Sequence, residues 1–193
     1  DLLNGRSGQD YMLGGNGNDV YEIDDQLDIV VELQSQGRDT VRSALATVSI
    51  ATVDHVENVM GTAATGQRLI GNALDNRLTG RDGADRMSGL AGNDTYVVQL
   101  GDRVVETAGQ GTDRVYTALR DYTLAANVEE LRGTADTGQK LTGNGGNNWI
   151  AGSLGADTMT GLKGDDTYVV GSADSVIEKS GEGRDTVQTS LAD

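Results

Sequence analysis

The chain has 193 residues, among them 28 Gly and no Pro, Cys or Phe. Leu, Ile and Val together number only 42, and the formal charge is −15, a balance close to that of a disordered chain. The composition excludes a disulfide framework and a cysteine zinc site, offers no apolar run long enough for a membrane span, and argues against nucleic acid, which needs a basic partner. Either the chain is loose, or something positive helps it fold.

Residues 1–41 form a first block of Gly/Asp-rich nonapeptides, GRSGQDYML (5–13) and then GGNGNDVYE (14–22). Residues 42–68 depart from that frame. A second block, 69–115, resumes it with GNALDNRLT, GRDGADRMS and GLAGNDTYV. Residues 116–140 depart again, and 141–193 form a third block with GNGGNNWIA, GSLGADTMT and GLKGDDTYV. The blocks are copies of one long unit. GNDVYEI (17–23) recurs as GNDTYVV (92–98) and GDDTYVV (164–170), and DIVVELQSQGRDTV (28–41) recurs as DRVVETAGQGTDRV (102–115) and DSVIEKSGEGRDTV (174–187). The array opens and closes inside a unit, which reads as a piece of a longer array.

Within each nonapeptide, Gly takes the first and often the fourth place, Asp or Asn the sixth and an apolar residue the eighth. Gly at the first and fourth places is expected to supply positive φ for tight turns. The residues around the eighth place form a short strand whose apolar side chain points inward. Two nonapeptides make one 18-residue coil, and stacked coils give an all-β parallel β-roll, a β-solenoid. Its predicted core is Met12, Tyr21, Leu78, Met87, Tyr96, Ile150, Met159 and Tyr168.

In such a roll each Asp-x-apolar step lies beside the step one coil later. The steps are Asp1, Asp10, Asp19, Asp28 and Asp39; then Asn76, Asp85, Asp94, Asp102 and Asp113; then Asn148, Asp157, Asp166, Asp174 and Asp185. The predicted neighbours are Asp1/Asp19, Asp10/Asp28, Asp19/Asp39, Asn76/Asp94, Asp85/Asp102, Asp94/Asp113, Asn148/Asp166, Asp157/Asp174 and Asp166/Asp185. Carboxylates stacked one strand apart repel unless a cation lies between them. Backbone carbonyls near Gly14, Gly17, Gly89, Gly92, Gly109, Gly111, Gly161, Gly164, Gly181 and Gly183 would add oxygen ligands. An all-oxygen set on flexible loops suits several Ca²⁺ ions better than Mg²⁺. Corners held by Asn should bind more weakly. The loops at 109–113 and 181–185 look best furnished, and the matching loop SQGRD (35–39) has lost one Gly.

The runs GRSGQDYMLGGNGNDVY, GRDGADRMSGLAGNDTY and GSLGADTMTGLKGDDTY resemble the RTX, or haemolysin-type, calcium-binding repeats. The resemblance implies a Ca²⁺-stabilised parallel β-roll, export from a Gram-negative bacterium by a type I system, and folding outside the cell. Replacement of Gly at Arg81, Leu90, Ser153 and Leu162 departs from the pattern.

The segments 42–68 and 116–140 carry HVENVMGTAATGQRL (55–69) and NVEELRGTADTGQKL (127–141). Their alternation of apolar and polar residues favours further coils without metal over a small separate subdomain. His55, with Asp54 and Ser49 nearby, invites a triad. Ala126 is read at its place in the next unit, so His55 is taken as a surface substitution and no catalytic residue is assigned. Trp149 should face outward, either exposed, covered by a neighbouring module, or stacked on a sugar. Tyr21, Tyr96 and Tyr168 read as core. Glu32, Glu106 and Glu178 recur in phase, either as added metal ligands or as a solvated face.

These features point to a non-enzymatic segment of a secreted or cell-surface protein with a structural or display role (adhesin, surface layer, filament or exoprotein). The alternative is an accessory carbohydrate-binding or secretion module beside a secreted hydrolase, lyase or epimerase. Expected partners are neighbouring repeats of the same longer protein, then self-association or a cell-surface glycan, with no nucleic acid and no membrane span.

Overall fold

A computed structural model describes residues 1–189. The last four residues of the third block lie outside the described residues. The chain divides into two compact units, Asp1–Val105 and Glu106–Asp193.

In the first unit, strands Leu2–Asn4, Val20–Ile23, Thr40–Ser43, Asn58–Gly61, Arg77–Thr79 and Thr95–Val98 pair in that order, all parallel. They form one wall. The intervening strands form the other. Tyr11–Leu13 pairs with Ile29–Val31, and Thr47–Ser49, Arg68–Ile70, Arg86–Ser88 and Arg103–Val104 make a four-stranded sheet. Each wall is revisited once per coil, so consecutive strands sit on opposite walls, which is the path of a parallel β-solenoid. The register Leu2↔Val20, Arg68↔Arg86 and Arg77↔Thr95 repeats every 18 residues. Departures such as Val20↔Thr40 and Thr47↔Arg68 are absorbed in the turns.

The second unit follows the same plan. Arg114–Thr117, Glu130–Gly133, Trp149–Ala151, Thr167–Val170 and Thr186–Thr189 form one wall. Asp121–Thr123, Lys140–Thr142, Thr158–Thr160 and Ser175–Val176 form the other. No helix of the described residues is long and apolar enough to cross a membrane.

Most of these short strands bury one or two side chains against the opposite wall. The inward rows run Tyr21–Val41–Val59–Leu78–Tyr96 and Leu69–Met87–Val104 in the first unit, and Leu131–Ile150–Tyr168 and Leu141–Met159 in the second. All eight predicted core residues are buried. Segments 42–68 and 116–140 carry strands of these same walls, with Val48, Val59, Leu124 and Leu131 buried.

Glycine at the fourth place does supply left-handed turns: Gly8, Gly83, Gly92, Gly155 and Gly164 all have φ between 104° and 125°. Glycine at the first place has another cause. Gly80 and Gly152 have ordinary φ, but a Cβ there would overlap Oδ2 of Asp85 and Asp157. The first Gly thus makes room for the carboxylate five residues on. At the second place substitution is strained at Leu90 and Leu162, which both sit at φ 80°, whereas Arg81 and Ser153 do not take positive φ.

Candidate metal centre

Each nonapeptide turn delivers its Asp just before a strand of one wall, and the Asp side chains stack along the coils. The stacking is not simple juxtaposition of carboxylates. Oδ1 of a later Asp accepts a hydrogen bond from the backbone N–H of the residue one coil earlier: Asp10 N to Asp28 at 3.1 Å, Asp19 N to Asp39 at 2.7 Å, Asn76 N to Asp94 at 2.7 Å, and Asp85 N to Asp102 at 2.9 Å. The second unit repeats this for Asn148 to Asp166 at 2.7 Å, Asp157 to Asp174 at 2.9 Å and Asp166 to Asp185 at 3.0 Å. The nitrogen of Asp1 reaches Asp19 Oδ1 at 2.5 Å. Eight of the nine predicted neighbours are therefore brought together. In the ninth, Asp94 belongs to the first unit and Asp113 to the second, and both are buried.

The ladder continues through positions that the Asp frame does not reveal. Asp39 N donates to Glu57 Oε2 at 2.9 Å, and Asp113 N to Glu129 Oε2 at 2.8 Å. Gln67 N donates to Asp85 Oδ1 at 2.6 Å, and Gln139 N to Asp157 Oδ1 at 2.7 Å. Glu57-Asn58-Val59 is an acid-x-apolar step, and Gly61 lies six residues before Gln67 with its missing Cβ facing the Gln oxygen. That spacing was the available signal: the departing segments keep the frame with Glu and Gln in place of Asp.

The second carboxylate oxygen distinguishes the positions. Among the described residues, the buried oxygens Asp10 Oδ2, Asp19 Oδ2, Glu32 Oε2, Asp85 Oδ2, Asp166 Oδ2 and Glu178 Oε2 have no hydrogen-bond partner. A buried carboxylate oxygen left this way is costly, so these atoms need a cation or a proton. Burial raises the carboxyls of Asp39, Asp85 and Asp102 above the usual range. Asp166 is pushed up to about 6, first by burial and then by the charges of Asp185, Glu178 and Asp165, against the hydrogen bond from Asn148.

Asn76 and Asn148 were expected to be weak cation corners, and in both the side-chain amide is engaged by neighbouring polar groups. The Asn76 amide donates to the carbonyl of Val56 and to Asn72 Oδ1 at 3.4 and 3.1 Å, while its oxygen accepts from Asn72 N at 2.7 Å. Asn148 repeats this with Val128 and Asn144 at 3.2 Å each, and its oxygen accepts from Asn144 N at 2.7 Å. Here amide N–H groups meet the converging oxygens that a cation would otherwise meet.

Asp19, Glu32 and Asp39, all buried, form a cluster whose ligand oxygens lie within 4.8 Å of one another. Tyr21 hydroxyl donates to Glu32 and accepts from Gly14 N at 2.8 Å. Burial raises the Glu32 carboxyl, the Tyr21 hydrogen bond opposes this, and the charges of Asp39 and Asp19 add to it. The loop that has lost one Gly keeps the left-handed turn: Ser35 takes φ 64°, as Gly109 and Gly181 take 79° and 88°. The closing residue Asp185 of the favoured loop 181–185 is exposed.

Two other readings change. His55 has φ 61°, as does Asn127, so Asn127 and not Ala126 is its counterpart. Both hold a left-handed turn. Trp149 does face outward, but the guanidinium of Arg132 lies 4.4 Å from its ring centre, so that face is covered.

Parallel coils, loop carboxylates with unpartnered buried oxygens, and an all-oxygen donor set define a cation-binding β-roll. The chain matches the family described as RTX calcium-binding nonapeptide repeat (4 copies) over residues 1–21, 66–105 and 141–177, about half its length. It belongs to that family of calcium-binding repeats. No curated protein matches it.

Proposed function

We propose that this chain is a calcium-stabilised structural segment of a secreted or cell-surface bacterial protein, exported by a type I system and folded outside the cell. The observation that carries the reading is the set of buried, unpartnered carboxylate oxygens at Asp10, Asp19, Asp85 and Asp166. Their environment has oxygen donors and no nitrogen or sulfur ligand, which suits Ca²⁺. At low calcium the formal charge of −15 opposes compaction, and at high calcium the ions offset it. A chain of this kind stays loose inside the cell and folds on export. Its role is structural or display, not catalytic. An accessory glycan-binding role finds less support, because Arg132 covers one face of Trp149.

The test is a calcium titration of the stripped chain followed by far-UV circular dichroism. Folding with a midpoint of roughly 0.1–1 mM, the range of extracellular calcium modules, supports the reading. A sub-micromolar midpoint, or a fold indifferent to calcium, overturns it.

A further inference from the structure

The Glu of the recurring D-x-V-V-E run lies outside the nonapeptide frame, yet Glu32 is buried. It follows strand Ile29–Val31 of one wall and opens the turn that returns the chain to Thr40–Ser43 of the other. Asp39 closes that same turn, and Asp19 precedes Val20–Ile23 one coil earlier. Three carboxylates from two coils and from both ends of one turn thus converge within 4.8 Å.

Hydrogen bonds do not satisfy this cluster. Glu32 gives one oxygen to Tyr21 and Asp19 gives Oδ1 to the coil before, but Glu32 Oε2 and Asp19 Oδ2 have no partner among the described residues. A Cβ on Gly14 would overlap the Tyr21 hydroxyl and lie 2.5 Å from Asp19 Oδ2, so glycine keeps this cradle open. The second unit shows the same orphans independently. Tyr168 hydroxyl donates to Glu178, Gly161 N donates to Glu178 Oε1 at 3.0 Å, and Glu178 Oε2 and Asp166 Oδ2 are both buried without a partner.

We infer that Asp19, Glu32 and Asp39 hold one divalent cation, with Glu32 adding a third carboxylate to the stacked pair Asp19/Asp39 and Tyr21 orienting it. The inference rests on the calcium reading above and deepens it. Three carboxylates around one point favour a hard cation of charge two or more over a monovalent ion. The ion would fasten the first and last residues of the turn 32–39 to the preceding coil. Each long unit would then lock where the nonapeptide frame ends.

The experiment uses the full chain. Equilibrium dialysis counts bound calcium, and terbium emission excited through tyrosine reports an ion beside a phenol. Glu32→Gln should lose one calcium per chain and lower the tyrosine-excited emission. Tyr21→Phe should keep the calcium count and lose that tyrosine's share of the emission. Calcium binding by the wild type with an unchanged count in Glu32→Gln overturns the inference and spares the broader reading. Should Glu32→Gln not fold, unchanged emission in Tyr21→Phe overturns it. Absence of calcium binding by the wild type overturns both.

Discussion

Two kinds of coil meet the same problem differently. Around Gln67, Asn72 and Asn76, turn carbonyls converge and side-chain amides answer them. Gln67 Nε2 donates to the carbonyls of Ser43 and Leu45 at 3.1 and 2.6 Å, and Asn72 Nδ2 to those of Val53 and Val56 at 2.9 Å each. Gln139 and Asn144 repeat the arrangement in the second unit. Around Asp10, Asp19, Glu32 and Asp85, the chain adds more oxygen to the same kind of place and leaves buried atoms unpartnered. Amide coils are complete in themselves. Carboxylate coils are complete only with a cation, or with protons at lower pH. One backbone plan therefore carries both permanent and calcium-dependent coils.

The comparison breaks most sharply at Gly80. Gly80→Ala would drive a Cβ into Asp85 Oδ2, and we expect a loss of about 1–3 kcal/mol in calcium with one ion fewer bound, read by thermal unfolding and dialysis. Asp85→Asn converts a carboxylate position to an amide one. It should stabilise the calcium-free protein by about 1–2 kcal/mol while removing one ion, so the gap between calcium-free and calcium-loaded stability narrows. An unchanged gap would contradict the distinction.

The smallest effect per group is that of pH. Asp166 titrates near 6 in the folded chain, above the ~4 of an unfolded Asp. The folded state then holds more protons between those values. Calcium-free stability should be greatest below ~4 and fall as pH rises through 6. The raised carboxyls of Glu32, Asp39, Asp85 and Asp102 act in the same direction. Calcium affinity should run the other way and weaken on acidification. Urea unfolding in EDTA between pH 4 and 7 measures this.

The roll and its core were legible because the eighth-place residues keep phase across three copies, and every one named from the sequence is buried. The Asp neighbours were legible for the same reason. The reason they stack was not. Spacing alone suggested carboxylate facing carboxylate, whereas Oδ1 is taken by a backbone N–H such as that of Asp19 on Asp39. Spacing also could not show that Asn76 closes its own turn, since the donor direction of an amide depends on where Asn72 and Val56 sit. Gln67 and Glu57 were hidden by residue type. Gln67 fills the rung six residues after Gly61, where Asp85 stands five after Gly80.

Solenoid coils exchange contacts mainly with their neighbours, so parts of the array can open separately. Hydrogen exchange followed peptide by peptide, in calcium and in EDTA, tests the central claim most directly. Withdrawal of calcium should cost most protection across residues 10–39 and 157–185, and least across 56–76 and 128–148, where amides satisfy the turns. Equal loss in all four segments, or greater loss in the amide segments, would contradict the account.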